Sequence, residues 1–336
     1  MDPAGAEIIA AEKNINLQKL SFGDDVNANW VILEQAHGIQ FLASTEMQPP
    51  YMPERPMIER CKNLLAFSVI GAGYDMFDVD ACTKTGVLVV NQTGANSESV
   101  AQHVFGLMLV LSKQIIQGDR RMRRQGDDWD RWEYQGKELT GRTLGIIGLG
   151  NVGRRVSALA GQMFGMRVIA HDPYLTNDDF RERGAEAVSL DDVFKAADFI
   201  SVNCPLSEET TGMVGAKEFA LMKPTAYFVT TARGGIHDEA ALAAVLADGK
   251  IAGAGLDVFT TEPPPYDHPL MDFENVIVSP HVAGITDDCL YNMATYAAKQ
   301  WLTIFRGQRP PRLINPNAWP IYRDRFEKII GTPVKD

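Results

Sequence analysis

Residues 143–153 read Thr-Leu-Gly-Ile-Ile-Gly-Leu-Gly-Asn-Val-Gly, and this stretch constrains the fold more than any other part of the chain. A short apolar run, Leu144 to Ile147, leads into Gly148-x-Gly150-x-x-Gly153, and an apolar helical stretch over 152–164 follows at once. A second apolar run, Arg167-Val-Ile-Ala-His, then ends at Asp172. Each part has a job in holding a dinucleotide. Gly148 permits the tight strand-to-helix turn, Gly150 lets backbone approach a pyrophosphate, and Gly153 lets the helix pack closely on the strand. The helix N-terminal amides then face the phosphates. Asp172 is placed to accept hydrogen bonds from ribose hydroxyls and to repel a 2′-phosphate. Pro173 and Tyr174 follow it and no arginine does, so the expected cofactor is NAD and not NADP.

The alternation around this motif sets the fold class. Strands are predicted at 143–147, 167–171, 198–202, 226–230, 252–256 and 275–278, with helices between them, which makes a doubly wound parallel sheet. The first hundred residues alternate in the same way: a helix near 4–13, then apolar runs at Ile39–Ala43, Leu64–Ile70 and Val87–Val90. Residues 97–117 read as one long helix that Ser97 caps, apolar on most faces and therefore buried between domains or subunits. The basic stretch with Arg120, Arg121, Arg123 and Arg124, and then Trp129, Trp132 and Tyr134, reads as a solvated helix end and loop, or as aromatics covering a neighbouring site. A last helix, Asp287 to Phe305, returns the chain to the first domain. The proline-laced end (Pro310, Pro311, Pro316, Pro320) reads as a loop or strap.

Bulk composition excludes several function classes. The chain has 336 residues, enough for two domains, with 45% hydrophobic and 22% charged residues. A net charge of −11 disfavours nucleic acid and anionic membrane as partners. The apolar run from Val104 to Leu111 is too short to span a bilayer. Met-Asp-Pro at the start, with no basic or apolar segment, reads as no signal peptide. Cys61, Cys82, Cys204 and Cys289 stand singly, as reduced cytosolic thiols do, and the histidines form no metal-type pair, so no metal site is expected.

Three polar residues follow predicted strand ends, where open α/β sheets bind their ligands. Arg233 lies in Thr-Thr-Ala-Arg-Gly-Gly, Glu262 follows Gly255-Leu-Asp-Val-Phe-Thr-Thr, and His281 follows Val276-Ile-Val-Ser-Pro. Singly each has a plain alternative: a surface charge, a loop acid, a turn histidine. Together they suit hydride transfer, which needs a proton moved at a carbinol oxygen. A histidine, titrating near roughly pH 6.5, can move it. A carboxylate beside the ring stabilises the imidazolium and fixes the tautomer, which is the part expected of Glu262. Arg233 offers a planar fork for a substrate carboxylate or α-oxygen. Asp257 is expected on the cofactor side, near the nicotinamide ribose or carboxamide, or else as a structural acid. Ala72 and Gly73, in a glycine turn after the strand that ends at Ile70, are candidates for a backbone nest that holds the carboxylate, or form a simple tight turn.

These motifs resemble the D-isomer-specific 2-hydroxyacid dehydrogenases over nearly the whole chain. The resemblance rests on Gly71-Ala-Gly-Tyr-Asp, Gly148-Leu-Gly-Asn-Val-Gly with Asp172, Asn203-Cys-Pro-Leu, Thr231-Ala-Arg-Gly-Gly, Gly255-Leu-Asp-Val-Phe-x-x-Glu-Pro and Pro280-His-Val-Ala-Gly. It implies a Rossmann NAD domain (99–286, with the linking helix 97–117) inserted in a split, doubly wound flavodoxin-like substrate domain (1–98 and 287–336). It implies catalytic Arg233, Glu262 and His281. It also implies NAD contacts at Gly148, Gly150, Asn151, Val152, Gly153, Asp172, Cys204, Pro205, Thr210, Thr231, Ala232, Arg233, Asp257, His281, Ala283 and Gly284, and substrate contacts at Ala72, Gly73 and Arg233. A cytosolic homodimer acting on a small 2-oxo or 2-hydroxy acid, such as glyoxylate or hydroxypyruvate, is the expectation.

Departures from the pattern matter as well. The usual opening strand is missing: either Leu17–Phe22 supplies it or it lies upstream of Met1, and the family pattern favours the second. Asn203-Cys204 matches the formate dehydrogenase branch, but that branch carries Gln where this chain has Glu262. Phosphoglycerate is disfavoured because the strand before Gly71 lacks the expected arginine and no C-terminal regulatory domain follows. The alternative function is a NAD(H)-sensing, corepressor-like binding protein of the same fold.

Overall fold

The apolar runs become parallel strands, most of them with side chains buried on both faces, the pattern that helices on either side of a sheet impose. The computed structural model describes residues 2–21, 23–42, 49–125 and 129–335. They fall into two units, Met1–Asn96 with Thr286–Asp336, and Ser97–Ile285.

The first unit begins with α1 (Pro3–Ala10), capped by Asp2, and α2 (Val26–Gln35), capped by Asp25. There follow β1 (Gly38–Leu42), α3 (Arg55–Arg60), β2 (Ala66–Ile70), α4 (Val79–Thr85) and β3 (Leu88–Val90). The strands pair in parallel in chain order, with Ile39 opposite Phe67 and Phe67 opposite Val89. The run expected at Ile39–Ala43 is thus β1 as far as Leu42; Ala43 lies outside the described residues. Residues 17–21 form neither helix nor strand, so the reading of Leu17–Phe22 as a strand is not met there, and Phe22 lies outside the described residues.

In the second unit come α5 (Ser97–Ser112), α6 (Ile115–Gln125), β4 (Thr143–Ile147), α7 (Asn151–Phe164), β5 (Arg167–His171) and α8 (Asn177–Glu182). They are followed by β6 (Glu186–Ala187), α9 (Leu190–Ala196), β7 (Phe199–Val202), α10 (Ala216–Ala220), β8 (Tyr227–Thr230), α11 (Glu239–Ala247), β9 (Gly253–Leu256) and β10 (Val276–Val278). The seven parallel strands lie in the order β10-β9-β8-β7-β4-β5-β6. The order reverses between β4 and β7, so a crevice opens at the carboxyl ends beside β4.

Two helices stand where one was expected over 97–117. Ser112 ends α5, and Gln114 takes a left-handed φ of 53° before α6 begins. The cause is a passing chain: the Lys137 amide donates to the Ser112 carbonyl at 2.7 Å, taking the acceptor that a continuing helix would use. Ser97 lies within the first turn of α5 and not at its cap; its buried hydroxyl has no hydrogen-bond partner among the described residues. The apolar side of α5 (Val104, Leu107, Met108, Leu111) belongs to the second unit's own core. The basic stretch is α6 itself rather than a helix end and loop, with Arg123 paired to Asp119 one turn away. Beyond it, Trp129 and Trp132 are exposed. No single helix among the described residues is long and apolar enough to cross a membrane.

The chain end rejoins the first unit through α12 (Asp287–Phe305), capped by Thr286, with the predicted bounds. After it the expected strap is partly wrong: α13 (Trp319–Ile330) follows a single 3₁₀ turn at Pro316–Ala318. Pro316 and Pro320 sit in first turns, where a missing N–H costs nothing. Between the two helices the chain closes the open edge of β3. The Ile314 amide donates to the Val89 carbonyl at 2.9 Å. Asn315 then imitates a strand: its Oδ1 accepts from the Val89 amide and its Nδ2 donates to the Val87 carbonyl, both at 2.9 Å. Asn315 is 3% exposed, so an Ala there leaves two buried backbone groups unpaired. Asn315→Ala is expected to lower stability by about 2–6 kcal/mol, at roughly 1–3 kcal/mol per orphaned group, as read by denaturant unfolding. A loss below about 0.5 kcal/mol would mean that water replaces both bonds.

Candidate active site

The glycine turn after β4 is built by close approach. Gly148 has a φ of 84°, and a Cβ on it would lie 2.7 Å from the Cys204 amide nitrogen. A Cβ on Gly153 would fall 2.2 Å from the Gly148 carbonyl oxygen, so α7 reaches the turn only because that position is bare. At Gly150, the residue before α7, a Cβ would meet nothing within 4 Å. That emptiness is the room a pyrophosphate needs in front of a helix N-terminus. Asn151 and Val152 form the first turn of α7, with the Asn151 side chain turned to Arg154 at 2.7 Å.

Asp172 closes the turn from β5. One carboxylate oxygen accepts from the Leu149 amide at 3.0 Å, the other from the Tyr174 amide at 3.1 Å. Sequence adjacency missed one residue here. Arg183, just past α8, donates to the Leu149 carbonyl at 2.8 Å, so the turn that Asp172 grips does have an arginine against it.

Further around the strand ends, burial pushes the Cys204 thiol up to about 11, so it is a neutral lining group. Thr210 is turned into its own loop: its hydroxyl donates to the Pro205 carbonyl at 2.7 Å and accepts from the Ser207 amide at 2.8 Å. Two buried oxygens, Thr231 Oγ1 after β8 and Asn203 Oδ1 after β7, have no hydrogen-bond partner among the described residues. Polar atoms left open in this way are where a ligand's hydrogen bonds are wanted. Together with the room at Gly150, they fit these residues to a dinucleotide.

His281 and Glu262 meet. His281 Nδ1 lies 2.7 Å from Glu262 Oε2, and Glu262 Oε1 accepts from the Phe259 amide at 3.0 Å. Burial works against ionisation of Glu262, but the bonds from His281 and Phe259, with Arg233 nearby, outweigh it and hold the carboxyl below its ordinary value. The acid therefore stays charged through neutral pH, and its support of His281 is lost only as pH falls through that lowered value. Arg233, at the end of β8, donates to the Ala232 carbonyl at 2.8 Å and is half-buried.

Asp257 is enclosed by its own turn. Its exposure is 0%. Both oxygens are taken: Oδ1 accepts from the Ser279 hydroxyl at 2.6 Å and the Val282 amide at 2.9 Å, and Oδ2 from the Ala283 amide at 2.9 Å. Ala283 is likewise buried, while Gly284 keeps part of its surface. The structural alternative for Asp257 is the one the geometry favours. In the first unit, the turn with Ala72 and Gly73 is fixed through its carbonyls: the Gln92 amide donates to Gly71 at 2.7 Å and the Asn91 side chain to Ala72 at 2.6 Å. Among the described residues, no group of three or more His, Cys, Asp or Glu is placed to hold a metal ion.

The profile of the D-isomer specific 2-hydroxyacid dehydrogenase NAD binding domain matches residues 105–283. The chain is 40% identical over 265 residues to a D-3-phosphoglycerate dehydrogenase of Methanocaldococcus jannaschii, which covers 78% of this chain and 50% of that protein. It thus spans about half the length of that relative. With a glyoxylate reductase of Korarchaeum cryptofilum it shares 36% identity over 300 residues, 88% of this chain and 89% of that one. The solved D-lactate dehydrogenase of Aquifex aeolicus, complexed with NAD and lactic acid, superposes with a TM-score of 0.77 at 28% identity, covering 94% of this chain and 96% of its own. The glycine turn, the acid after β5 and the His–Glu pair at the β10 end lie within a matched, dehydrogenase-type NAD domain, and the chain belongs to the D-isomer specific 2-hydroxyacid dehydrogenase family.

Proposed function

We propose that this protein interconverts a small 2-oxo acid and its D-2-hydroxy acid, with NAD as the hydride carrier. The observation that carries the proposal is the 2.7 Å contact between His281 Nδ1 and Glu262 Oε2 at the strand ends of the NAD domain. NAD, held at the Gly148–Gly153 turn and by Asp172 and the Thr231 hydroxyl, supplies the hydride when bound. His281 gives the substrate oxygen its proton during reduction and takes it back during oxidation. Ionised Glu262 holds the Nδ1 proton, which fixes Nε2 as the atom facing substrate. Arg233 offers its fork to the carboxylate or α-oxygen, and the Ala72–Gly73 turn supplies backbone to the same anion. Glyoxylate and hydroxypyruvate are the favoured substrates, since the strand before Gly71 lacks an arginine for a phosphate. The family resemblance also supports a cytosolic homodimer.

A panel of 2-oxo acids with NADH, including a phosphorylated one, tests the reading. Turnover scored by kcat/KM supports it, and NADH binding without turnover of any acid points to the sensing protein instead. His281→Ala is expected to lower kcat by about 10²–10⁴-fold while NADH still binds. A variant within a few-fold of wild type removes His281 from the mechanism. Arg233→Lys keeps the charge but loses the fork, so KM should rise and kcat fall; an unchanged KM for every acid would make Arg233 structural.

Cofactor choice should turn on Asp172. Hydrogen bonds to a charged group contribute roughly 1.5–3 kcal/mol each, so the wild type should favour NADH over NADPH by about tenfold or more. Asp172→Ala should narrow that preference, because Arg183 still stands beside the turn. Adding Arg183→Ala should cancel the gain in NADPH use. Equal use of both cofactors by the wild type would mean that Asp172 does not face the ribose.

A further inference from the structure

Two side chains of α5, one helical turn apart, bond opposite ends of the turn that carries His281. The Ser99 hydroxyl donates to the Ala283 carbonyl at 2.6 Å. His103 Nε2 lies 2.9 Å from Ser279 Oγ. The Ser279 hydrogen is already committed, since that hydroxyl donates to Asp257 Oδ1 at 2.6 Å. Its lone pairs are what remain, so the network assigns the proton to His103 Nε2, which donates to Ser279. The same nitrogen is 3.6 Å from Asp257 Oδ1. Between the two anchors, the Asp257 carbonyl accepts from the His281 amide at 2.8 Å, and its carboxylate takes the amides of Val282 and Ala283.

The turn needs such holding. His281 has a φ of 55°, left-handed backbone that a residue with a Cβ adopts only when its surroundings impose it. Core packing does not account for the helix residues involved. The apolar face of α5 is carried by Val100, Val104, Leu107 and Leu111, whereas Ser99 and His103 both point polar atoms at residues 279–283.

We propose that Ser99 and His103 are positioning residues: they clamp the two ends of the 279–283 turn and thereby fix the orientation of the His281 ring. The proposal rests on the reading of His281 as acid/base. The clamp acts through Ser279, Asp257 and the Ala283 carbonyl and touches no reacting atom. Its worth is geometric, because a misplacement of about 1 Å in a reacting group can cost about 100-fold in rate.

Three variants of the full chain test it. His103→Leu removes the donor and keeps apolar bulk, His103→Gln returns an N–H near the place of Nε2, and Ser99→Ala removes the other anchor with little change in volume. Hydrogen–deuterium exchange follows the Val282 and Ala283 amides, NADH fluorescence gives Kd, and steady-state kinetics with an acid that the wild type reduces give kcat and KM. In His103→Leu and Ser99→Ala the two amides should exchange about tenfold faster, and kcat should fall by about 10- to 100-fold while Kd and KM change less than about threefold. His103→Gln should recover most of both losses. Unchanged exchange in both Leu and Ala variants, kcat within about threefold of wild type, or a Gln variant as poor as the Leu variant would overturn the clamp. If His103→Leu loosens the whole second unit, Ser99→Ala decides. If the wild type reduces no 2-oxo acid, it is the functional reading that fails, and the exchange of the two amides still decides the clamp.

Discussion

Among the described residues, Asp257 is the one Asp or Glu buried from solvent, at 0% exposure, and the turn that carries His281 is shaped around it. A carboxyl group out of reach of water is costly unless hydrogen-bond donors surround it. Here the donors are the Ser279 hydroxyl and the amides of Val282 and Ala283, all within 2.9 Å. Two of the three belong to the residues that directly follow His281. The burial cost is offset only when the backbone turns as it does, so one buried carboxyl sets the conformation of its half-buried neighbour His281. Glu262 then needs only to reach a ring already aimed.

Parallel register extends this local order across the sheet. Every strand of the second unit ends on the same side, and β8, β9 and β10 lie next to one another. Arg233, Glu262 and His281 leave from those three ends. Loops cannot scatter them far, because backbone pairing runs on past the strands: Asp257 donates its amide to Thr230 at 3.0 Å and Ser279 to Leu256 at 2.9 Å. The nucleotide half comes from β7, β4 and β5 across the point where strand order reverses. The proposed roles would then follow strand order, with the His281–Glu262 pair on one flank and the glycine turn on the other.

What could be read from the chain was what is local. Glycine spacing after an apolar run, an acid at the next strand end and the six predicted strands of the second unit depend on residues close in sequence. The features that escaped depend on remote contacts. Nothing near Gln114 announces a break; the Ser112 carbonyl is taken by Lys137, a partner brought from beyond α6. Arg183 reaches the Leu149 carbonyl only because α8 folds back along the sheet. An acid at a strand end can face in or out, so the sequence left Asp257 between a cofactor-side and a structural role, and its enclosure by Ser279, Val282 and Ala283 was not legible there. β6, with two residues, is too short to show a period, and α13 was hidden because prolines read as breakers unless the first turn is recognised.

The outer strands of the seven-stranded sheet carry a consequence for solubility. The inner strands β4 and β5 have five residues each, but the sheet tapers to three in β10 and two in β6. An unpaired strand edge is a template on which another chain can add itself, and long flat edges invite amyloid-like growth. A two-residue edge offers too few donors and acceptors for that. On β6 the exposed Glu186 is also engaged by Arg167 of the neighbouring strand at 2.6 Å, which puts a charged pair where an incoming strand would have to settle. The sheet that orders the reactive residues thus ends before it can recruit a stranger.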